Sequence, residues 1–101
     1  MTPAHRHTPA QAKLYPIERK VLTVLVVSAG EFGYHSFAGI IELARQQSRW
    51  RLIRKEVRRA CRSLARKGLA VYSRGLFTDD GLVAGSGYGA TPAGVQWVEG
   101  S

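Results

Sequence analysis

Ten residues between Arg45 and Lys67 are Arg or Lys, and the one acid among them is Glu56. Ten cations less one anion give this stretch a net +9, more than the +8 of the whole chain. The basicity is therefore local. A duplex presents closely spaced phosphates, and each one neutralised by Lys or Arg releases condensed counterions. Arginine predominates here, and its planar fork can grip a phosphate or the O6 and N7 edge of guanine with two hydrogen bonds. The first partner to consider is a polyanion, and the pI of about 10.4 points the same way.

Such side chains need an element to hold them in one direction. Within RWRLIRKEVRRACRSLARKGLAV, the residues Ile53, Val57, Ala60, Cys61, Leu64 and Gly68 recur at steps of three and four. That spacing predicts an amphipathic helix over Leu52 to Lys67, stopped by Gly68. Lys55, Arg59, Arg62 and Arg66 then project opposite the apolar stripe, with Arg58 beside them. Arg66 and Lys67 have a second use, since cations in a last turn favour the helix dipole.

The rest of the chain supplies a scaffold. Pro16 suits the first position of a helix running from Ile17 to Ala29, with Gly30 just beyond its end. This helix is apolar almost all round, which predicts full burial or a face shared with a second subunit. Ser36 is a good N-cap for a second helix, FAGIIELARQQ, with Ile40, Ile41, Leu43 and Ala44 facing inward. LAVYSRGLFT and LVAGSGYGA read as strands joined at Asp79-Asp80-Gly81, and Thr91 and Pro92 open a short closing helix. Trp50 and Trp97 read as core anchors. Residues 1–14 lack periodicity and read as a flexible arm, 15–98 as one domain, and 99–101 as a tail. A single cysteine and the lack of a long apolar run predict a cytoplasmic protein that does not span a membrane.

V-R-R-A-C-R-S-L-A-R-K-G-L-A-V (Val57 to Val71) followed by Y-G-A-T-P-A-G (Tyr88 to Gly94) resembles the winged helix-turn-helix domain of bacterial and phage regulators. The likeness covers about residues 15–98. It implies an α+β fold in which a three-helix core is followed by a two-stranded hairpin wing and a short C-terminal helix. It also implies a transcriptional regulator of double-stranded DNA, acting as a homodimer on a symmetric operator. Ser36 to Arg45 would position the domain, and Leu52 to Lys67 would enter the major groove. Early turns of such a helix lie closest to base edges, which selects Arg54, Lys55, Arg58 and Arg59 as base contacts. Arg49, Arg51, Arg62 and Arg74 are placed for the phosphate backbone, with Arg74 near the base of the wing.

One feature departs from the pattern. Asp79 and Asp80 fall at the wing tip, where phosphates would repel them and where winged regulators more often carry Arg or Lys. Two other readings stay open: a protein-interaction module, such as a phage or mobile-element adaptor or inhibitor binding an acidic protein surface, and an RNA-binding module.

Other chemistries find little support. GSGYGA (Gly85 to Ala90) matches a dinucleotide fingerprint in letters, but about ten residues follow it, too few for the helix and acidic residue that motif needs. Its glycines read as strand bends. His5 and His7 lack a third metal ligand. Cys61 falls on the apolar stripe, where a thiol behaves as a small hydrophobe. His35, just before the second helix, reads as a surface or capping residue. No catalytic, cofactor or metal site is expected, and no enzyme.

Overall fold

The computed structural model describes residues 12–28, 34–77 and 83–100, and their side chains apart from those of 74–77 and 83–86. Its elements run α1 (Pro16–Val27), α2 (Phe37–Ser48), α3 (Arg54–Arg66), β1 (Ala70–Phe77), β2 (Val83–Ala90) and α4 (Pro92–Glu99). Three helices followed by an antiparallel hairpin and a short helix make an α+β arrangement consistent with a winged helix layout. His5, His7, Gly30 and Asp79-Asp80-Gly81 lie outside the described residues.

Pro16 opens α1 as expected, but the helix ends at Val27 with Ser28 as its C-cap, two residues before the predicted end at Ala29. Most of its apolar residues are covered within the chain, where α1 lies against α2, α3 and α4, although Val27 is left exposed at its end. Val21, Leu22, Val24 and Leu25 are all fully buried. Burying such a side chain is worth about 1.5–3 kcal/mol, so this helix anchors the core. The core also reaches further back than expected: Leu14, assigned above to the flexible arm, is buried with these residues. Trp97 Nε1 donates to the Ala12 carbonyl oxygen at 2.7 Å, so Ala12 to Leu14 belong to the packed domain.

A charged residue sits in this core. Glu18 is 3 % exposed, accepts from the Tyr15 backbone N–H at 2.9 Å, and meets Lys67 Nζ at 2.9 Å. Tyr15 is the N-cap and Glu18 the third helical residue, so the carboxylate closes half of a capping box. Burial pushes its pKa up, but hydrogen bonds from Ser63, the Tyr15 N–H and Lys67 more than offset this, and the net shift is downward. A carboxyl whose folded pKa is depressed stabilises the fold above its unfolded pKa and loses that contribution as pH falls through the folded value. We expect urea-unfolding stability to hold at neutral pH and to decline below about pH 4.5, with Glu18→Gln about 1–3 kcal/mol less stable at pH 7. The gap between the two proteins should close as the pH is lowered, and a constant gap would contradict this role.

The end of α3 is fixed by Gly68, which has a φ of 78°. The Leu69 N–H donates to the Leu64 oxygen at 2.9 Å and the Gly68 N–H to the Ala65 oxygen at 3.1 Å, closing a Schellman motif. Leu64 and Leu69 are both fully buried. The helix start differs from expectation. Ile53 is the N-cap, with extended backbone, and is 57 % exposed. It therefore does not belong to the apolar stripe, because the 100° step applies only to helical residues. Leu52, one residue earlier, is buried instead.

β1 and β2 pair antiparallel from Ala70↔Ala90 to Phe77↔Val83, with irregularities between Ser73 and Leu76 and between Leu76 and Phe77. A third extended piece joins them. His35 exchanges both backbone hydrogen bonds with Tyr88, each at 2.8 Å. His35 is thus half-buried and bridged to the edge of the hairpin, not the surface or capping residue its sequence position suggested. The close approach explains Gly87: a Cβ there would lie 2.5 Å from the His35 carbonyl oxygen. At the hairpin's exit, the Gly94 N–H donates to Thr91 Oγ1 at 3.1 Å and the Thr91 hydroxyl donates to the Gly68 oxygen at 2.7 Å.

Candidate nucleic-acid interface

α3 is an amphipathic helix with sharply divided faces. At about 100° per residue, Val57, Ala60, Cys61 and Leu64 fall within an arc of roughly 100°, and all four are buried. Lys55, Arg59, Arg62 and Arg66 fall opposite, within about 60°, and all four are exposed. Arg54 and Arg58, also exposed, occupy one flank, while Glu56 and Ser63 occupy the other. Ser63 reaches Glu18 of α1, so the Glu56 flank is the one turned toward α1.

The segment before α3 extends the basic face. Arg49 and Arg51 are exposed, and Ser36 caps the start of α2 by accepting from the Gly39 N–H at 3.0 Å. Arg49 is the one described non-glycine residue with positive φ, at 56°. A side chain in that conformation costs about 1 kcal/mol. We expect Arg49→Gly to stabilise the fold by about 0.5–1 kcal/mol in urea unfolding while weakening the binding proposed below by several-fold. A variant that gains stability and keeps full affinity would remove Arg49 from the interface.

Charge pairing separates structural cations from free ones. Among the described residues the ion pairs are Arg45–Glu42 and Lys67–Glu18. Lys67 is thus a core fastener, its ammonium also 5.8 Å from the Tyr15 ring centroid, in addition to the dipole role its place at the helix end suggests. Arg49, Arg51, Lys55, Arg58, Arg59, Arg62 and Arg66 take part in neither pair. Arg54 also has no carboxylate partner, but its guanidinium lies 5.6 Å from the Phe37 ring centroid. Arg66 shares the exposed face, as its place on the helical wheel requires, and also lies in the last turn, where a cation favours the helix dipole. The Arg74 side chain is outside the described set, and its backbone lies in β1 at the first irregularity of the hairpin.

Aromatic residues border this face. Phe37 and Tyr88 stack with centroids 5.9 Å apart, and Tyr72 packs against Tyr88 at 5.0 Å. Tyr72 nonetheless remains 44 % exposed. Sequence reading overlooks this group, although Tyr72 and Tyr88 become direct cross-strand partners once the register is known. Lys20 lies 5.7 Å from the half-buried Trp50 ring, and Arg19 lies 5.9 Å from Trp97. Cys61 is fully buried, and burial pushes its thiol up to about 12, which suits a core residue and not a nucleophile.

Fold and surface together define a small α+β domain that directs one strongly basic helix outward beside a hairpin. No family model matches the chain, and no curated protein or solved structure matches it. Among the described residues, no three His, Cys, Asp or Glu side chains group as metal ligands, and no helix is long and apolar enough to cross a membrane.

Proposed function

We propose that this chain is a small winged helix protein that binds duplex DNA, with α3 in the major groove, and that it acts in transcription regulation. The observation that carries this reading is the outer face of α3: Lys55, Arg59, Arg62 and Arg66 are exposed, with no carboxylate partner among the described residues, on a helix whose other face is locked in the core. Unpaired cations on a rigid rod are suited to phosphates, because little side-chain or backbone ordering remains to oppose binding. Arg49 and Arg51 continue the charge toward the end of α2, where a strand passing over the helix-turn-helix would run.

Fluorescence anisotropy with a labelled random-sequence duplex, measured from about 50 to 200 mM salt, tests the reading. Contact with about six phosphates gives a log–log slope of roughly −5. Absence of binding at the lowest salt would overturn it. A structured RNA titrated in parallel decides whether the basic face prefers that polyanion instead.

A further inference from the structure

The region between the start of α2, the Arg54–Arg62 flank of α3 and the hairpin is a hollow of about 440 Å³. That volume lies in the range of small-molecule sites. Its lining combines Phe37, Tyr72 and Tyr88 with Arg54 and Arg62, beside His35 and Ser36. The two guanidiniums are separated by eight residues, a little over two turns, so both stand on the same side of α3. Neither has a carboxylate partner among the described residues. His35 Nε2 is buried in the wall with no hydrogen-bond partner among the described residues, an uncommon state for a buried polar atom.

We infer that this hollow is a nucleotide pocket: it receives one unpaired nucleotide of a bound strand, its base stacked on Tyr72 and its phosphate held by Arg54 and Arg62. This rests on the nucleic-acid reading above and adds a substrate class, duplex carrying an unpaired nucleotide. Three features select that occupant. Tyr72 lines the hollow and is 44 % exposed as a residue, and an aromatic side chain can stack on any base. The Arg pair requires an anion, which excludes a purely apolar ligand. The cavity opens on the same flank as the basic face of α3, so a strand lying along that helix passes its entrance. A smooth duplex keeps its bases inside the stack, and only an unpaired or end nucleotide can enter.

The test compares a blunt duplex with the same duplex bearing a short single-stranded overhang, both labelled and titrated with the full chain. Base–aromatic stacking gives an expected preference of about tenfold for the overhang. Tyr72→Ala should abolish the preference and leave blunt-duplex affinity unchanged, while Tyr72→Phe should retain it. Adenosine monophosphate distinguishes the sources of the same chemistry. If the overhang gives no preference but the mononucleotide shifts the amide resonances of Tyr72, Gly87 and Tyr88, the pocket takes free nucleotide and not a strand. Equal binding of blunt and overhang duplex, with no such shifts, overturns the pocket while leaving duplex binding intact. Failure to bind either duplex refutes the DNA reading on which it rests, a different result.

Discussion

Replacing Lys55, Arg59 and Arg62 together by Ala lowers duplex affinity by roughly a hundredfold near 100 mM salt, with the fold preserved. Each change removes an exposed cation from the outer arc of α3. Contacts of this kind are worth on the order of 1 kcal/mol or more each, and three of them give a factor on the order of 10². The salt dependence is the sharper readout. Three fewer neutralised phosphates flatten the log–log slope by about 2.7. Thermal stability should stay within about 0.5 kcal/mol, since none of the three forms an ion pair among the described residues. Arg45→Ala is the matched control, because its charge is spent on Glu42 and it lies on α2. An unchanged slope in the triple variant, or an equal loss in Arg45→Ala, would move the interface off α3.

The second large effect is on stability. Gly87→Ala should cost about 3–5 kcal/mol and lower the melting temperature by roughly 12–40 °C. The added methyl would meet the His35 oxygen at 2.5 Å, its carbonyl carbon at 2.6 Å and its nitrogen at 2.9 Å. All three are backbone atoms, so no rotamer change can relieve the clash. Overpacking alone costs about 1–3 kcal/mol, and displacing His35 also breaks two hydrogen bonds to Tyr88 worth about 1 kcal/mol each. Circular dichroism melts of the two proteins check this, and a change under 3 °C would show that the segment at His35 moves aside freely. The stacked Phe37–Tyr88 pair should loosen with it, because Phe37 follows His35 by two residues.

Much of the frame is legible in the residues. Val57, Ala60, Cys61 and Leu64 give away α3 because helical periodicity is local and needs no partner. Gly68, Ser36 and Thr91 mark element ends for the same reason: caps and stops act within a few bonds. What escapes is set by distance along the chain. Glu18 and Lys67 are 49 residues apart, and neither alone signals a buried pair. His35 reads as a surface or capping residue until its backbone pairs with that of Tyr88, more than 50 residues on. Ile53 is misassigned because an apolar residue at the edge of a periodic run looks like its continuation, whereas the backbone has not yet entered the helix. The basic face itself is plain from composition, but the aromatic hollow beside it depends on the hairpin register, which no local pattern specifies.

The bond from the Thr91 hydroxyl to the Gly68 oxygen, reinforced by the Thr91 N–H to the Leu69 oxygen at 3.1 Å, has a consequence for how this domain can vary. It latches the two ends of the hairpin together at its base, so the whole excursion between them hangs from a closed ring. Chain added or removed far from that latch leaves α3 and α4 where they are, and each doubling of such a loop costs only about 0.6 kcal/mol in closure entropy. The protein therefore separates what it holds constant from what it is free to change. The basic helix is built into the core, while the hairpin beside it can be lengthened or shortened without rebuilding the rest.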